Sequence, residues 1–327
     1  MKYILRKLAF YIVAAWAAIT VNFAVPRLMP GNAVDAVLGK FRNLTPNAVR
    51  ALEAQLGVGH SGSLASQYVT YLGHVIHFNF GISTSQYPTP VATVIARTLP
   101  WTLALVGTAT VLSFAFGTLL GIYAGWRHNG WADRILPATT FLQATPYFFL
   151  GLILIYVFAV QLNWLPYGQG YALGLTPGFT WAFISSAITH SLLPALTIIA
   201  TSVGAWMLQM RNVMLTTISE DYIMVAEAKG LSRPRVMLTY AARNAILPNI
   251  ASFALSLGFV VAGSLVMEVV FSYPGIGQAL YNAVTSSDYP LTQGIFLVIT
   301  LAVLLASFIA DLVYALADPR ARTGAAL

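Results

Sequence analysis

The chain has 327 residues, of which 58% are hydrophobic and only 8% are charged, and its formal net charge at pH 7 is +7. Soluble domains carry about 25% charged residues, so a soluble fold of this length would leave too much apolar surface in water. The composition therefore indicates an integral membrane protein. The sequence has no cysteine, which excludes disulfides, thiolate catalysis and cysteine metal sites. The basic residues are scattered near the ends of apolar runs, which favours contact with membrane lipid over nucleic acid.

The first apolar run begins at Leu8, behind the basic residues Lys2, Arg6 and Lys7. A signal peptide would have an apolar core of about 7–15 residues followed by a cleavage site with small side chains. This run is longer and ends in Pro26-Arg27. We therefore expect an uncleaved membrane span.

Six apolar runs in all are long enough to cross the hydrocarbon core as helices, which takes about 20 residues each. The runs are continuously apolar, whereas the strands of a membrane β-barrel would alternate. The sequence therefore predicts an all-α membrane protein with six transmembrane helices. Pro146 is placed to kink the third. The predicted spans are 8–28, 101–125, 135–162, 191–210, 250–270 and 291–317.

Lysine and arginine mark one side of the predicted helix bundle. They occur before span one, between spans two and three, between spans four and five, and after span six. The short loops 163–190 and 271–290 contain neither residue. The long segment 29–100 carries Lys40, Arg42, Arg50 and Arg97, but long segments follow the charge rule poorly. Because short positively charged loops stay in the cytoplasm, we predict that both termini are cytoplasmic.

The outer segment between spans one and two has the pattern of a folded region. The stretch AVRALEAQLG (48–57) has helical spacing, and Tyr68, Tyr71, Val75 and Phe78 predict a second apolar stripe. Such a segment can cap the helix ends, or it can be a docking surface for an external partner. The sequence does not separate these two interpretations.

The longest predicted cytoplasmic segment, residues 211–248, reads as two helices joined by a tight turn. Ser219, Glu220 and Asp221 offer capping oxygens and negative charge to a short helix over 222–229. Gly230 is the expected left-handed residue at its end. Ser232 then caps a second helix, which is expected to run to about Leu247 before Pro248 ends it.

We call residues 220–232 of this segment the elbow. A plain amphipathic helix on the membrane surface would have one basic face, but the charged residues here flank a glycine turn instead. The small residues Ala226, Ala228 and Gly230 would let another backbone come close, while Glu227, Arg233 and Arg235 would make fixed polar contacts. The pattern favours an elbow that inserts into a groove of a partner.

The stretch SYPGIG (272–277) predicts a tight turn on the opposite side of the membrane. Pro274 and Gly275 set the turn, and Gly277 would permit close approach of another backbone. Glu268 precedes it near the outer end of span five. A carboxylate in a span is costly and must face protein or water, so Glu268 is a gating residue or, more simply, an ion pair or helix cap.

The sequence lacks the residues of several chemistries. The only Gly-Lys pair, Gly39-Lys40, is followed by Phe41, so the chain has no phosphate-binding P-loop. His74 and His77 share a helix face, but no cysteine or nearby carboxylate completes a metal site. We therefore expect no catalytic residue, no metal and no cofactor. If transport is driven by ATP, the motor is a separate subunit.

The elbow and the residues that follow it resemble a loop of a known protein family. DYIMVAEAKGLSRPRVMLTYAARNAILP (221–248) resembles the EAA loop of ABC-importer inner-membrane permeases, with Lys229 at the third position of the motif. Other stretches are similar to the dipeptide and oligopeptide permeases of the DppB/OppB type, with Asn32 and Tyr273 as departures. These stretches are VPRLMPGNAV (25–34), IARTLPWTLAL (95–105), MEVVFSYPGIGQAL (267–280), SDYPLTQG (287–294) and DLVYALADPR (311–320).

This resemblance implies a type I ABC-importer permease fold in a prokaryotic cytoplasmic (inner) membrane. It implies a second homologous permease of the DppC/OppC kind, two ABC ATPase domains and an extracytoplasmic substrate-binding protein, with di- or oligopeptides as cargo. The short elbow helix would be the coupling helix that sits in a cleft of the ATPase. The implied coupling residues are Tyr222, Ala226, Glu227, Ala228, Lys229, Gly230, Leu231 and Ser232.

The expected organisation is a first span (1–28), an extracytoplasmic segment (29–98), a permease core (99–316) and a cytoplasmic tail (317–327). Related importers carry nickel or small oligosaccharides, which are therefore alternative cargoes. An ATPase-independent secondary carrier is the alternative of a different class. It would need ion-coupling carboxylates inside its spans.

Overall fold

The computed structural model describes residues 2–28, 63–127, 130–262 and 265–317, and these residues form helices with no β-strand among them. The helices are α1 (Lys2–Leu28), α2 (Leu64–Ile76), α3 (Val91–Thr102), α4 (Thr108–Trp126), α5 (Trp131–Ala144), α6 (Tyr147–Leu154), α7 (Trp181–Ile218), α8 (Asp221–Ala228), α9 (Arg243–Val260), α10 (Leu265–Val270), α11 (Ile276–Thr285) and α12 (Tyr289–Ala317). Wider π-helical turns lie at Leu103–Gly107, Ile155–Gln161 and Val236–Ala242.

Helices long and apolar enough to cross a membrane account for most of the predicted spans. Four lie within the described residues, at Ile4–Ala24, Val91–Trp126, Trp181–Ile218 and Tyr289–Leu312. Trp131–Ala144 and Tyr147–Gln161 form a fifth candidate that is bent by 99°. The break falls at Thr145-Pro146, where Thr145 is extended, as expected for a residue before proline. The kink predicted at Pro146 is confirmed.

The predicted span 250–270 differs most from the structure. Helix α9 begins earlier, at Arg243, and ends at Val260, and a separate short helix follows at Leu265–Val270. Pro248 lies inside α9 instead of ending a helix before it. Ala245 and Asn249, on either side of the proline, are fully or almost fully buried, so packing holds the helix together where one backbone hydrogen bond is missing.

The described residues divide into two compact units. The first unit draws on Met1–Thr102, Val261–Val269 and Pro274–Leu305. In its core, α3 packs against α11 and the beginning of α12. The buried residues are Val91, Val94, Ile95, Ile276, Ala279, Leu280, Ala283, Leu291 and Ile295.

Helices α1 and α2 belong to the same unit. Asn22 of α1 donates to the backbone oxygen of Gln293, and the Gln293 amide donates back to the Asn22 oxygen. The rings of Tyr68 and Tyr71 pack on Phe23 at 5.1 and 5.4 Å, which confirms these two members of the predicted stripe. Phe78 was wrongly included, because it follows the end of α2 and is exposed. The predicted helix over 48–57 lies outside the described residues.

The second unit draws on Leu103–Val260, Val270–Tyr273 and Ala306–Leu327. Its centre is the contact between α4 and α7. Gly117, Gly121 and Gly125 follow one another at intervals of four along α4 and face α7. A Cβ on any of them would lie 2.5–2.7 Å from atoms of α7, so only glycine permits this approach.

We expect Gly121→Ala to lower stability by about 1–3 kcal/mol, because the added methyl group would meet the Met207 backbone oxygen at 2.6 Å. Gly73→Ala in α2 is the matched control, since no atom lies within 4 Å of that added methyl group. The measurement is the midpoint of thermal unfolding of the purified protein in detergent. Equal midpoints for both variants would contradict the close packing.

Candidate functional site

The elbow has the predicted backbone. Helix α8 spans Asp221–Ala228, and Gly230 follows with φ +74°. The N–H of Gly230 donates to the Glu227 oxygen at 2.8 Å, and the N–H of Leu231 donates to the Ala226 oxygen at 3.4 Å. These two bonds form a Schellman motif, which needs a left-handed residue at the glycine position. The predicted helix and the predicted role of Gly230 are confirmed.

The inner face of α8 is anchored in the second unit. Ile223 and Ala226 are buried in a cluster with Ile122 of α4, Met210 and Met214 of α7, and residues of the following helix. Side chains at interior packing density resist sliding past one another. The position of α8 is therefore tied to the ends of the helices that it contacts.

The outer face of α8 carries apolar side chains without cover from the described chain. Met224 and Val225 are 65% and 52% exposed, and Tyr222 is 38% exposed. The Tyr222 hydroxyl accepts a hydrogen bond from Asn244 at 3.0 Å. Glu227, Ala228, Lys229 and Ser232 are exposed, and Leu231 is half-buried. An apolar patch with a polar rim is typical of a protein interface.

Three details predicted for the elbow are wrong. Glu220 precedes α8 and Ser232 precedes the short helical turn Arg233–Arg235, but neither side chain caps. The Ser219 hydroxyl donates back to the Thr216 oxygen instead. Ala226 faces its own helix bundle, so it cannot admit a partner backbone.

The polar contacts expected for the elbow are contacts with a partner, and they stay a prediction. Within the described residues, the ionic groups of Glu227, Arg233 and Arg235 form no ion pair. Their charged groups are therefore open to solvent or to another molecule.

Glu268 of α10, in the first unit, is fully buried. Its side chain caps the start of a different helix, α11. Its Oε2 accepts the N–H groups of Gly277 at 2.6 Å and Gln278 at 3.2 Å. Its Oε1 accepts from the hydroxyl of Thr102 at 2.7 Å, and that hydroxyl accepts the N–H of Ile276 at 2.8 Å. The carboxylate thus satisfies the first turn of α11, where the helix dipole also favours negative charge.

The glycines of the turn that precedes α11 make room for this cap. A Cβ on Gly275 would lie 2.3–2.5 Å from the Glu268 carboxyl group, and a Cβ on Gly277 would lie 2.7 Å from Leu265 Cα. The close backbone approach predicted for Gly277 is confirmed. Gly275 has φ −89°, so lack of space and not backbone conformation requires glycine there. Pro274 precedes it and is half-buried.

A second buried carboxylate, Asp288, was not predicted. Its Oδ2 accepts from Ser83 Oγ at 2.5 Å and from Ser85 N and Oγ at 2.9 and 2.6 Å. Its Oδ1 accepts the N–H of Leu291 at 3.1 Å, which caps α12. Burial by itself would raise the pKa of Asp288, but the four hydrogen bonds outweigh it and hold the pKa below its ordinary value of 3.8. An aspartate just before Tyr-Pro is a helix-start signal that could have revealed the cap.

The segment after α6 is held by hydrogen bonds to other parts of the second unit. The N–H of Gln169 donates to the Phe271 oxygen at 2.8 Å, and the N–H of Ala172 donates to the Ser186 hydroxyl at 2.8 Å. Tyr273, which departs from the family pattern, is buried, and its hydroxyl lies 3.0 Å from the Ser191 hydroxyl.

Comparison with known proteins defines the class. Residues 117–323 match the family described as the binding-protein-dependent transport system inner membrane component. The di/tripeptide transport system permease protein DppB of Pseudomonas aeruginosa is 33% identical over 337 residues, covering 98% of this chain and 99% of the relative. The glutathione transport system permease protein GsiC of Escherichia coli K12 is 30% identical over 323 residues, with coverages of 98% and 99%. The oligopeptide transport system permease protein AppB of Bacillus subtilis is 33% identical over 255 residues, with coverages of 78% and 79%.

The chain belongs to this family of ABC-importer permeases. It is a multi-pass inner-membrane protein with the type I importer permease fold, and it is not itself an enzyme. Membership implies ATPase subunits, a binding protein and a second permease as partners.

Removing the Glu268 carboxylate should loosen the start of α11. In Glu268→Ala, buried donors of Thr102, Gly277 and Gln278 lose their acceptor, at a cost of about 1–3 kcal/mol for each unsatisfied group. We expect faster amide hydrogen exchange in a peptide covering 276–285. Glu268→Gln, which keeps one acceptor oxygen, should show a smaller change. Unchanged exchange in Glu268→Ala would rule out the cap.

The low pKa of Asp288 predicts an acid-sensitive contact. A carboxyl group with a lower pKa in the folded than in the unfolded protein adds stability above the unfolded value, and this is lost as the pH falls through the folded pKa. Asp288→Asn should therefore be less stable than the native protein at pH 7, and the difference should shrink below about pH 4. Thermal unfolding midpoints at pH 7 and pH 3.5 test this. A difference independent of pH would contradict it.

Proposed function

We propose that this permease imports di- and oligopeptides, delivered by an extracytoplasmic binding protein, with force supplied by separate ATPase subunits through the elbow. The main support for this mechanism is that the two faces of helix α8 differ. Its inner face is packed against the second unit, while its outer face exposes Tyr222, Met224 and Val225. One face suits docking and the other suits transmission of movement.

A movement of α8 would be transmitted to the membrane spans through packed side chains. Ile223 and Ala226 share a buried cluster with Met210 and Met214, so a displacement of α8 also displaces the end of α7. The Schellman turn at Gly230 fixes where the chain leaves α8. A partner that moves α8 therefore biases the helices between two arrangements, which is the physical requirement for alternating access.

The peptide cargo rests on the names of the relatives. The Pseudomonas relative is named for di- and tripeptides, the Bacillus relative for oligopeptides and the Escherichia relative for glutathione, itself a tripeptide. These share a peptide backbone, so we propose a permease for short peptides. The second permease would be of the DppC/OppC kind, and two ABC ATPase domains would dock on the cytoplasmic side.

The proposed topology has both termini in the cytoplasm, with the elbow on that side. The segments 29–98 and 163–190 and the turn containing Glu268, Pro274, Gly275 and Gly277 would then face outward. The permease core would be 99–316, with the coupling loop 211–248, preceded by the span 1–28 and followed by the tail 317–327. The coupling residues would be Tyr222, Ala226, Glu227, Ala228, Lys229, Gly230, Leu231 and Ser232.

Two substitutions in the elbow should test two steps separately: docking of the ATPase, and transmission of its movement to the membrane helices. Met224→Asp places a charge in the exposed apolar face and should reduce co-purification of the ATPase by about tenfold or more. Gly230→Val requires a β-branched residue at φ +74°, so it should distort the turn and reduce peptide-stimulated ATP hydrolysis and uptake. Both are measured on the complete importer in proteoliposomes.

Met224→Leu is the control, since it keeps the size and apolar character of the side chain and should retain the ATPase. Normal ATPase retention in Met224→Asp would contradict docking through α8. Uptake at the native rate in Gly230→Val would contradict transmission through the elbow.

A further inference from the structure

A cavity of about 360 Å³ lies beside the elbow in the second unit. Its wall combines the ends of α4 and α7 with Glu227 of the elbow and the turn that follows it. Trp126, Ile218 and Met237 provide apolar surface. The volume is within the range of small-molecule sites, about 300–1,000 Å³.

Charged groups from two parts of the chain meet at this cavity. Arg127 comes from the end of α4, and Arg233 and Glu227 come from the elbow region. Arg127 donates to the Tyr123 hydroxyl at 3.3 Å and lies 5.7 Å from the centre of that ring, which holds the guanidinium in place. Within the described chain, these three ionic groups form no ion pair. The cavity thus presents two cations and one anion.

The position of the cavity along the membrane normal limits the chemical class of ligand that it can bind. Trp126 and Arg127, which line the cavity, lie at the end of the helix that contains the candidate span Val91–Trp126. A tryptophan followed by an arginine at the end of a span is typical of the level of lipid head groups. A ligand at this level can have both an anionic group and an apolar part.

We propose that this cavity binds the head group of an anionic phospholipid, with the phosphodiester held by Arg127 and Arg233. Guanidinium groups match phosphate oxygens in geometry and charge. Ile218 and Met237 would contact the glycerol and the start of an acyl chain. The Glu227 carboxylate would accept from head-group hydroxyls, as phosphatidylglycerol offers. Basic pockets at the cytoplasmic ends of spans bind anionic lipids in this way.

Such a lipid would bridge α4 and the elbow. Arg233 is three residues after Gly230, and Glu227 is three residues before it. A phosphate held between Arg127 and Arg233 would therefore connect the end of a span to the turn of the elbow. The composition of the membrane would then influence coupling.

The test measures lipid retention by the complete importer in detergent, with native mass spectrometry after titration of phosphatidylglycerol or phosphatidylcholine. We expect preferential retention of phosphatidylglycerol, and a loss of roughly ten- to thirtyfold in its affinity in the double variant Arg127→Gln/Arg233→Gln. Arg235→Gln is the matched control, since this exposed arginine is on the same turn but outside the cavity. Equal retention of both lipids, or an equal loss in the control, would overturn the proposal.

A photoreactive phenylalanine analogue in place of Met237 identifies the occupant in membranes. A lipid adduct that disappears in the double variant supports the proposal. An adduct with the ATPase instead would make the cavity part of a protein interface. Displacement of phosphatidylglycerol by millimolar inorganic phosphate would assign the cavity to a soluble phosphate. Either of these last two results overturns the lipid assignment.

Discussion

The close contact of α4 with α7 is the constraint on which the second unit depends. Glycines at intervals of four remove the side chains that would keep the helices apart, so backbone meets backbone at Gly121 and Met207. In a membrane, where lipid is as apolar as the helix surface, such contact is a main source of helix association. It also places Ile122, Met210 and Met214 side by side, and these residues form the surface on which α8 packs.

Buried carboxylates have a different role in the first unit. Glu268 and Asp288 each accept several hydrogen bonds and each satisfies the start of a helix. An isolated charge at such a place would be unstable, but a carboxylate that accepts backbone N–H groups is stabilised by them. These residues therefore act as structural caps, and the alternative of a gating residue at Glu268 is not needed to explain its burial.

Much of the elbow could be predicted because its signals are local. The glycine at 230 and the acidic start of α8 follow from rules that concern only neighbouring residues. Two of the errors, at Pro248 and Ala226, came where a tertiary contact outweighed a local preference. Pro248 stays inside α9 because the residues beside it are buried, and Ala226 turns inward because Ile223 and Ala226 share one face of a short helix. Thr102 had no local signal, since its role depends on a residue 166 positions away.

The sequence by itself determined that the chain is a helical membrane protein, the approximate positions of most of its long apolar helices and the family to which it belongs. Those properties depend on composition, on the length of apolar runs and on short motifs, all of which can be read along the chain. Only the tertiary structure decided which side chains meet: Glu268 with the first turn of α11, Asp288 with Ser83 and Ser85, and Arg127 with Arg233 and Glu227 around one cavity. These groups are far apart in sequence, and their energies depend on burial and geometry that folding creates.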